Sequence, residues 1–221
     1  MSKLLEKRVL FDGDKMLLEE ILIAPEKTAL VVIDAVNDIF ADSGRYAQKE
    51  WNIKPLQEMF EKSLLPLIDK LKIIIPVVFV KSAYTPNQFI NDEHPITDFC
   101  VEGTEGADFY KLNPRDAAYI YSKRQHSALF ELPYEEERTT ELHKWLQGKG
   151  TRQLIITGAT NTNCIPVNVK HALQLEYEVI VPKDCIASRG ERIEGHEANL
   201  MWYINHRGIN VVDSKKIKYR L

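Results

Sequence analysis

Short apolar runs of β-branched character alternate along the chain with stretches of helical period, the pattern of a parallel sheet with helices on both faces. Strands are predicted at residues 29–33, 77–80, 118–122, 154–157, 179–181 and 210–212, and helices at 56–72, 139–147, 164–175 and 191–206. The helix from 164 sets Ile165, Val169, Ala172 and Leu173 on one face. Right-handed crossovers between such strands give an α/β fold: three layers around a doubly wound, mostly parallel, Rossmann-like sheet of about six strands. The interval 82–116 breaks the pattern. It is rich in Pro, Asn, Asp and Gly and carries little periodicity, and long connections of this kind in compact domains usually serve function, so it is expected to form a wall of the site. No internal repeat or low-complexity segment is seen, which excludes solenoid and array architectures.

With 221 residues, 44% of them hydrophobic, the chain can bury a full core as one domain. The expected division is an N-terminal arm over 1–27, packing on or beside the domain, and a single domain over 28–221. The formal charge of −3 comes from 29 basic and 32 acidic residues mixed along the chain, so no broad surface for nucleic acid or anionic lipid is implied. The basic run from Lys215 to Arg220 reads as a solvated end. Residues 1–15 are studded with charges and lack the apolar stretch of a signal peptide. No later run approaches the roughly 20 apolar residues of a membrane helix, so a cytoplasmic protein is expected. Cys100, Cys164 and Cys185 are too few and too widely spaced for a disulfide framework or a paired zinc motif, and read as free thiols.

Three side chains carry candidate chemistry. Asp34, Lys123 and Cys164 each fall at the end of, or in the turn after, a predicted strand, and in an open parallel sheet ligands bind in the crevice outside the carboxyl ends of the strands. Cys164 follows a strand and a turn of small and polar residues, and Pro166 suits the first turn of a helix, so the sulfur is placed at a helix N-terminus. The dipole and unpaired N–H groups there favour thiolate, and the same N–H groups suit an oxyanion. Taken singly, Asp34 reads as a turn residue and Lys123 as a surface cation; three strand ends together make the set specific. Cys100 and Cys185 read as small buried hydrophobes.

Five segments then fall into a known order: 29–34 (ALVVID) with Asn37-Asp38, 103–107 (GTEGA), Lys123 with 127–130 (SALF), 158–160 (GAT) through Cys164, and 184–188 (DCIAS). They resemble the isochorismatase-like cysteine hydrolases, the family of nicotinamidases, N-carbamoylsarcosine amidase and ureidoacrylate hydrolases, over about residues 28–212. The resemblance implies Cys164 as nucleophile, Asp34 as general base and Lys123 as the cation completing a triad. It also implies a cis peptide between Ala159 and Thr160, turning the Thr160 N–H toward an oxyanion beside that of Cys164. The activity implied is hydrolysis of a C–N bond in a small amide, ureide or N-carbamoyl compound through a thioester, with release of ammonia or an amine. A homo-oligomer, dimer or tetramer, is implied as well.

The chain departs from the family pattern at Val36, where glutamine is usual, and at Asn168, where threonine is usual. Aligned on the strand ending near Val80, the metal-binding positions of nicotinamidases are Ser82, Tyr84 and Phe99, which supply neither carboxylate nor imidazole. No metal and no cofactor are expected. Asp92-Glu93-His94 reads as solvated loop, and His196 and His206 are assigned no chemistry. Phe40, Tyr84 and His126 are the expected walls of a small, partly aromatic substrate pocket. Segment 42–51 reads as a surface loop, with Arg45 and Tyr46 as its candidates for reading a carboxylate or carbamoyl group. Two rivals stand beside the amidase: a vinyl-ether hydrolase of isochorismatase type, which typically lacks the cysteine, and a catalytically idle member serving as a binding module, which would be expected to have lost part of the triad.

Overall fold

Strand β3, after β1 (Glu6–Asp12) and β2 (Lys15–Ile23), spans Thr28–Ile33 and is buried at every position, as its unbroken apolar run requires when both faces of a sheet are covered. The computed structural model describes residues 6–12, 15–89, 97–131 and 139–219. Around β3 lie β4 (Val77–Ser82), β5 (Tyr119–Lys123), β6 (Gln153–Ala159), β7 (Glu178–Pro182), the short β8 (Ile186–Ala187) and β9 (Ile209–Val212). Their order is β5-β4-β3-β6-β7-β9, with β8 pairing β6, and every pairing is parallel. The chain steps outward in one direction from β3 and in the other from β6. Between them lies the switch point, where a crevice opens at the carboxyl ends of the strands.

The helices are α1 (Asn37–Phe40), α2 (Arg45–Gln48), α3 (Lys54–Met59), α4 (Leu65–Leu71), α5 (Glu141–Gly148), α6 (Cys164–Gln174) and α7 (Ile193–Asn205). One layer packs Leu56, Leu67, Ile68 and Leu71 against Leu30, Val32, Phe79 and Ile155. The other packs Leu142, Leu146, Ile165, Val169 and Tyr203 against Val31, Ile33, Val80 and Ile156. The three-layer α/β architecture expected from the sequence is therefore present, with seven strands where about six were expected.

Two expectations need correction. The helix predicted over 56–72 is interrupted by a π-helical turn at Phe60–Leu64, where the Leu65 N–H donates to the Phe60 carbonyl. Pro66 just beyond has no N–H to give, and the wider turn takes up that break in the ladder. The basic end is no solvated tail: Ile217–Tyr219 forms β10, parallel to β2, which in turn pairs antiparallel with β1. This second, three-stranded sheet sends Ile21, Ile23 and Ile217 into the core. Arg220 and the 92–94 triplet lie outside the described residues.

Candidate active site

Asp34 follows β3 with φ of +53°, a left-handed conformation that short polar side chains tolerate better than most. Its N–H donates to the Val80 carbonyl at 2.8 Å. This turn directs the carboxylate across the ends of the neighbouring strands. One oxygen, Oδ1, accepts the Ser82 N–H at 2.7 Å and lies 3.0 Å from the Ser82 hydroxyl, while Oδ2 lies 2.9 Å from Lys123 Nζ. Lys123, the last residue of β5, also donates to Ser82 Oγ at 2.7 Å and to Cys164 Sγ at 3.4 Å. Asp34, Ser82 and Lys123 thus come from three adjacent strands, each 1% exposed. Burial alone would lower the lysine pKa, but the facing Asp34 carboxylate and the sulfur raise it, so Lys123 stays an ammonium.

Strand β6 comes close enough to β3 that a Cβ on Gly158, at φ of +106°, would fall 2.0 Å from the Ile33 carbonyl oxygen, so only glycine fits. The Ala159–Thr160 peptide bond is cis. A short polar turn leads into α6, whose first residue is Cys164. Its sulfur is 3.6 Å from His126 Nδ1, and the sulfur contacts Lys123 as above. Among the described residues, neither the Thr160 nor the Cys164 backbone N–H donates a hydrogen bond within the protein. Both are left available to an oxygen atom.

The expectation of a thiolate armed by the helix end is corrected. Burial pushes the Cys164 thiol up to about 12, the Lys123 ammonium pulls it down, and the Asp34 carboxylate pushes it up again. Desolvation outweighs the helix dipole, whose influence is worth only about 0.3–1 kcal/mol in most settings. In this setting the sulfur favours its thiol form, with the Asp34 carboxyl group beside it.

A cavity of about 820 Å³ opens next to this cluster, lined in part by Tyr46, Trp51, Tyr84, Phe89, His126 and Thr160. The ring of His126 stacks on Phe89 with centroids 5.6 Å apart, and burial together with Lys123 lowers its pKa, favouring neutral imidazole. Tyr84 and His126 therefore line the cavity as expected, and so do Tyr84, Phe89, Thr97 and Phe99 of the 82–116 interval. Phe40 does not. It is fully buried and packs with Phe60 and Tyr110 at 5.7 Å each, because α1 turns it into the core.

Segment 42–51 is a helix and turn bordering the cavity, not a free loop. Arg45 is committed to Asp98 at 2.6 Å, with Lys49 also on that carboxylate at 3.4 Å. Arg189, just after β8, also lines the cavity and has no carboxylate ion pair among the described residues. Its Cζ stacks 3.3 Å from the centroid of the Trp51 ring, and its Nη1 is buried with no hydrogen-bond partner among the described residues. A buried donor left unpaired is costly, so this nitrogen is open to an acceptor other than the described residues.

The nicotinamidase metal positions are otherwise engaged. Ser82 holds Asp34, Tyr84 Oη lies 3.0 Å from Ser82 Oγ, and Phe99 stacks on Tyr46 at 5.2 Å. These side chains do not fit a divalent cation. Asn168, noted as a departure, accepts the Ala128 N–H at 2.8 Å and donates to the carbonyls of His126 at 2.9 Å and Cys164 at 2.8 Å, tying the His126 loop to α6. Sequence reasoning missed Ser82 as a partner of Asp34, although it ends β4 and obeys the same strand-end rule. It also missed Arg189, whose signal was its place beside the 184–188 motif.

A family model for the isochorismatase domain matches residues 28–216. An uncharacterised isochorismatase-family protein of Bacillus subtilis, YaaI, is 28% identical over 168 residues, covering 74% of this chain and 82% of that protein. Maleamate amidohydrolase of Pseudomonas putida is 27% identical over 130 residues, or 56% of each chain. In shape, the crystal structure of N-carbamoylsarcosine amidase from Thermoplasma acidophilum aligns with a TM-score of 0.68 at 22% identity, covering 86% of this chain and 98% of that one, which shows a shared fold.

Proposed function

Because this chain belongs to the isochorismatase family, a family of hydrolases, we propose that it is a cysteine hydrolase that cleaves the C–N bond of a small amide, ureide or N-carbamoyl compound. One observation carries the reading: a buried ammonium, Lys123, touches both the Asp34 carboxylate at 2.9 Å and the Cys164 sulfur at 3.4 Å. Three such groups have little structural reason to share a dry site, since burying charges costs several kcal/mol per ion before pairing.

In this reading Asp34 takes the thiol proton as Sγ attacks the substrate carbonyl, and the carbonyl electron pair moves onto oxygen. The Thr160 and Cys164 N–H groups hold that oxyanion. The tetrahedral species collapses, the C–N bond breaks, and the amine or ammonia leaves with the proton that Asp34 held. Water then attacks the thioester, giving a proton to Asp34; the C–S bond breaks, and the Cys164 sulfur takes that proton from Asp34. Lys123, 2.9 Å from Asp34 Oδ2, holds the carboxyl group in place while it accepts and returns each proton. A thiol raised to about 12 fits this order of events, because its proton leaves only when the base and the carbonyl are both present.

Arg189 narrows the substrate. Its unpaired Nη1 and the neighbouring Arg192 of the cavity lining suit an amide that bears a carboxylate at the end away from the scissile bond. The family relationship to a maleamate amidohydrolase is consistent with an acid amide as substrate.

An ammonia-release screen over small amides, ureides and carbamoyl acids tests the proposal. Turnover should appear, be abolished in Cys164→Ala and Cys164→Ser with the fold intact, and be lost on iodoacetamide treatment. Ammonia release that survives these changes rules the cysteine mechanism out.

A further inference from the structure

Asn161 lies directly between Thr160 and the helix start at Cys164, and it is fully buried. Its Nδ2 donates to the His196 carbonyl at 3.0 Å and lies 3.2 Å from His196 Nδ1. Its Oδ1 accepts the Tyr203 hydroxyl at 2.7 Å, and its backbone carbonyl accepts Asn199 Nδ2 at 2.7 Å. Its own N–H goes to the Ala187 carbonyl at 2.9 Å. The spacing of His196, Asn199 and Tyr203 puts all three on one face of α7. At Gly195 the helix lies so near the turn that a Cβ would meet the Thr162 methyl at 3.1 Å.

An apolar contact would hold α7 against the sheet as well or better, since a buried polar network is at best close to neutral for stability and gives geometric definition in return. Here the defined atoms are those of the residue joining Thr160 to the Cys164 turn. We propose that α7 fixes the oxyanion-holding backbone of residues 160–164 by gripping Asn161, making Asn161, Asn199 and Tyr203 positioning residues for the reaction. The inference rests on the cysteine-hydrolase reading for the reaction it serves, and on the contacts alone for the grip.

Tyr203→Phe keeps the buried ring and removes only the hydroxyl, and Asn199→Ala removes the grip on the carbonyl. Each is compared with the full-length wild type in kcat, KM, the iodoacetamide rate of Cys164 and amide hydrogen exchange across 160–164. A misplaced oxyanion donor costs part of the 10²–10³-fold that its removal does, so kcat should fall about tenfold with KM and the alkylation rate within about twofold. Exchange at the hydrogen-bonded Asn161 and Asn163 amides should quicken at least about tenfold, with β3 unchanged. Unchanged exchange in both folded variants, or alkylation falling in step with kcat, overturns the inference. A wild type that hydrolyses no amide defeats the C–N hydrolase reading instead, and the exchange comparison still decides whether the grip exists.

Discussion

Ser82 meets Asp34 twice at one oxygen, its N–H at 2.7 Å and its hydroxyl at 3.0 Å, and the same hydroxyl receives Lys123 at 2.7 Å. It bridges the acid and the ammonium, so their spacing depends on it. Ser82→Ala should lower kcat by about tenfold and stability by about 1–2 kcal/mol, because a buried hydroxyl contact is lost on both charged partners. Steady-state kinetics and urea unfolding measure the two; wild-type kcat would show that Ser82 bridges nothing of consequence.

The Lys123–Asp34 pair is fully buried, so removing one member strands a charge. Lys123→Met should cost about 3–5 kcal/mol, and Asp34→Asn added to it should return part of that loss. Asparagine tolerates the left-handed backbone at position 34, which keeps the comparison fair. Denaturant unfolding of both single variants and the double variant gives the coupling; additive losses would mean the two side chains act independently.

The Cys164 thiol stands raised to about 12. Its iodoacetamide rate should therefore keep climbing as pH rises from 7 through 10, since only the thiolate reacts. A rate already level at pH 8 would indicate a preformed thiolate and a different resting state.

Burial lowers the pKa values of His143 and His196, which means the folded chain disfavours their protonated forms. The unfolded chain binds protons more readily, so this contribution is complete above the ordinary histidine value of about 6.5 and is lost as pH falls below it toward the folded values. Melting temperature should be level from pH 8 to about 7 and fall below about 6.5. A melting temperature that rises on acidification over that span contradicts the assignment.

Arg189→Gln should reduce kcat/KM for a carboxylate-bearing amide by about 10²-fold while leaving a neutral amide within about threefold, because only the former loses a charge-assisted contact. Arg189→Lys should rescue little of it, since lysine offers a point charge and cannot stack flat on Trp51. Equal losses on both substrates would assign Arg189 to packing alone.

The fold was legible where burial is symmetric. Strands β3, β4 and β6 lie inside the sheet and show as plain apolar runs, and Asp34, Lys123 and Cys164 could be placed from those runs because parallel strands all point their carboxyl ends one way. What escaped notice depends on partners far away in sequence. Ile217–Tyr219 sits in a basic run with Lys218 at its centre and becomes a strand only because β2 lies alongside it. Phe40, a few residues from Asp34, looked like a cavity wall, but a single helical turn sends it to Phe60 and Tyr110. Arg189 is informative only through the Trp51 ring that covers it, and the Cys164 thiol only through the depth of its burial, for which a local dipole argument has no measure.

Since Ile217–Tyr219 shields one side of β2, shortening the chain by its final turn and strand would strip an edge from the opposite end of the sequence. The newly bare row of N–H and C=O groups would be open to pairing between molecules. Material lacking this strand is then expected to clump before it loses its central sheet, so residues 217–219 double as a guard against self-association.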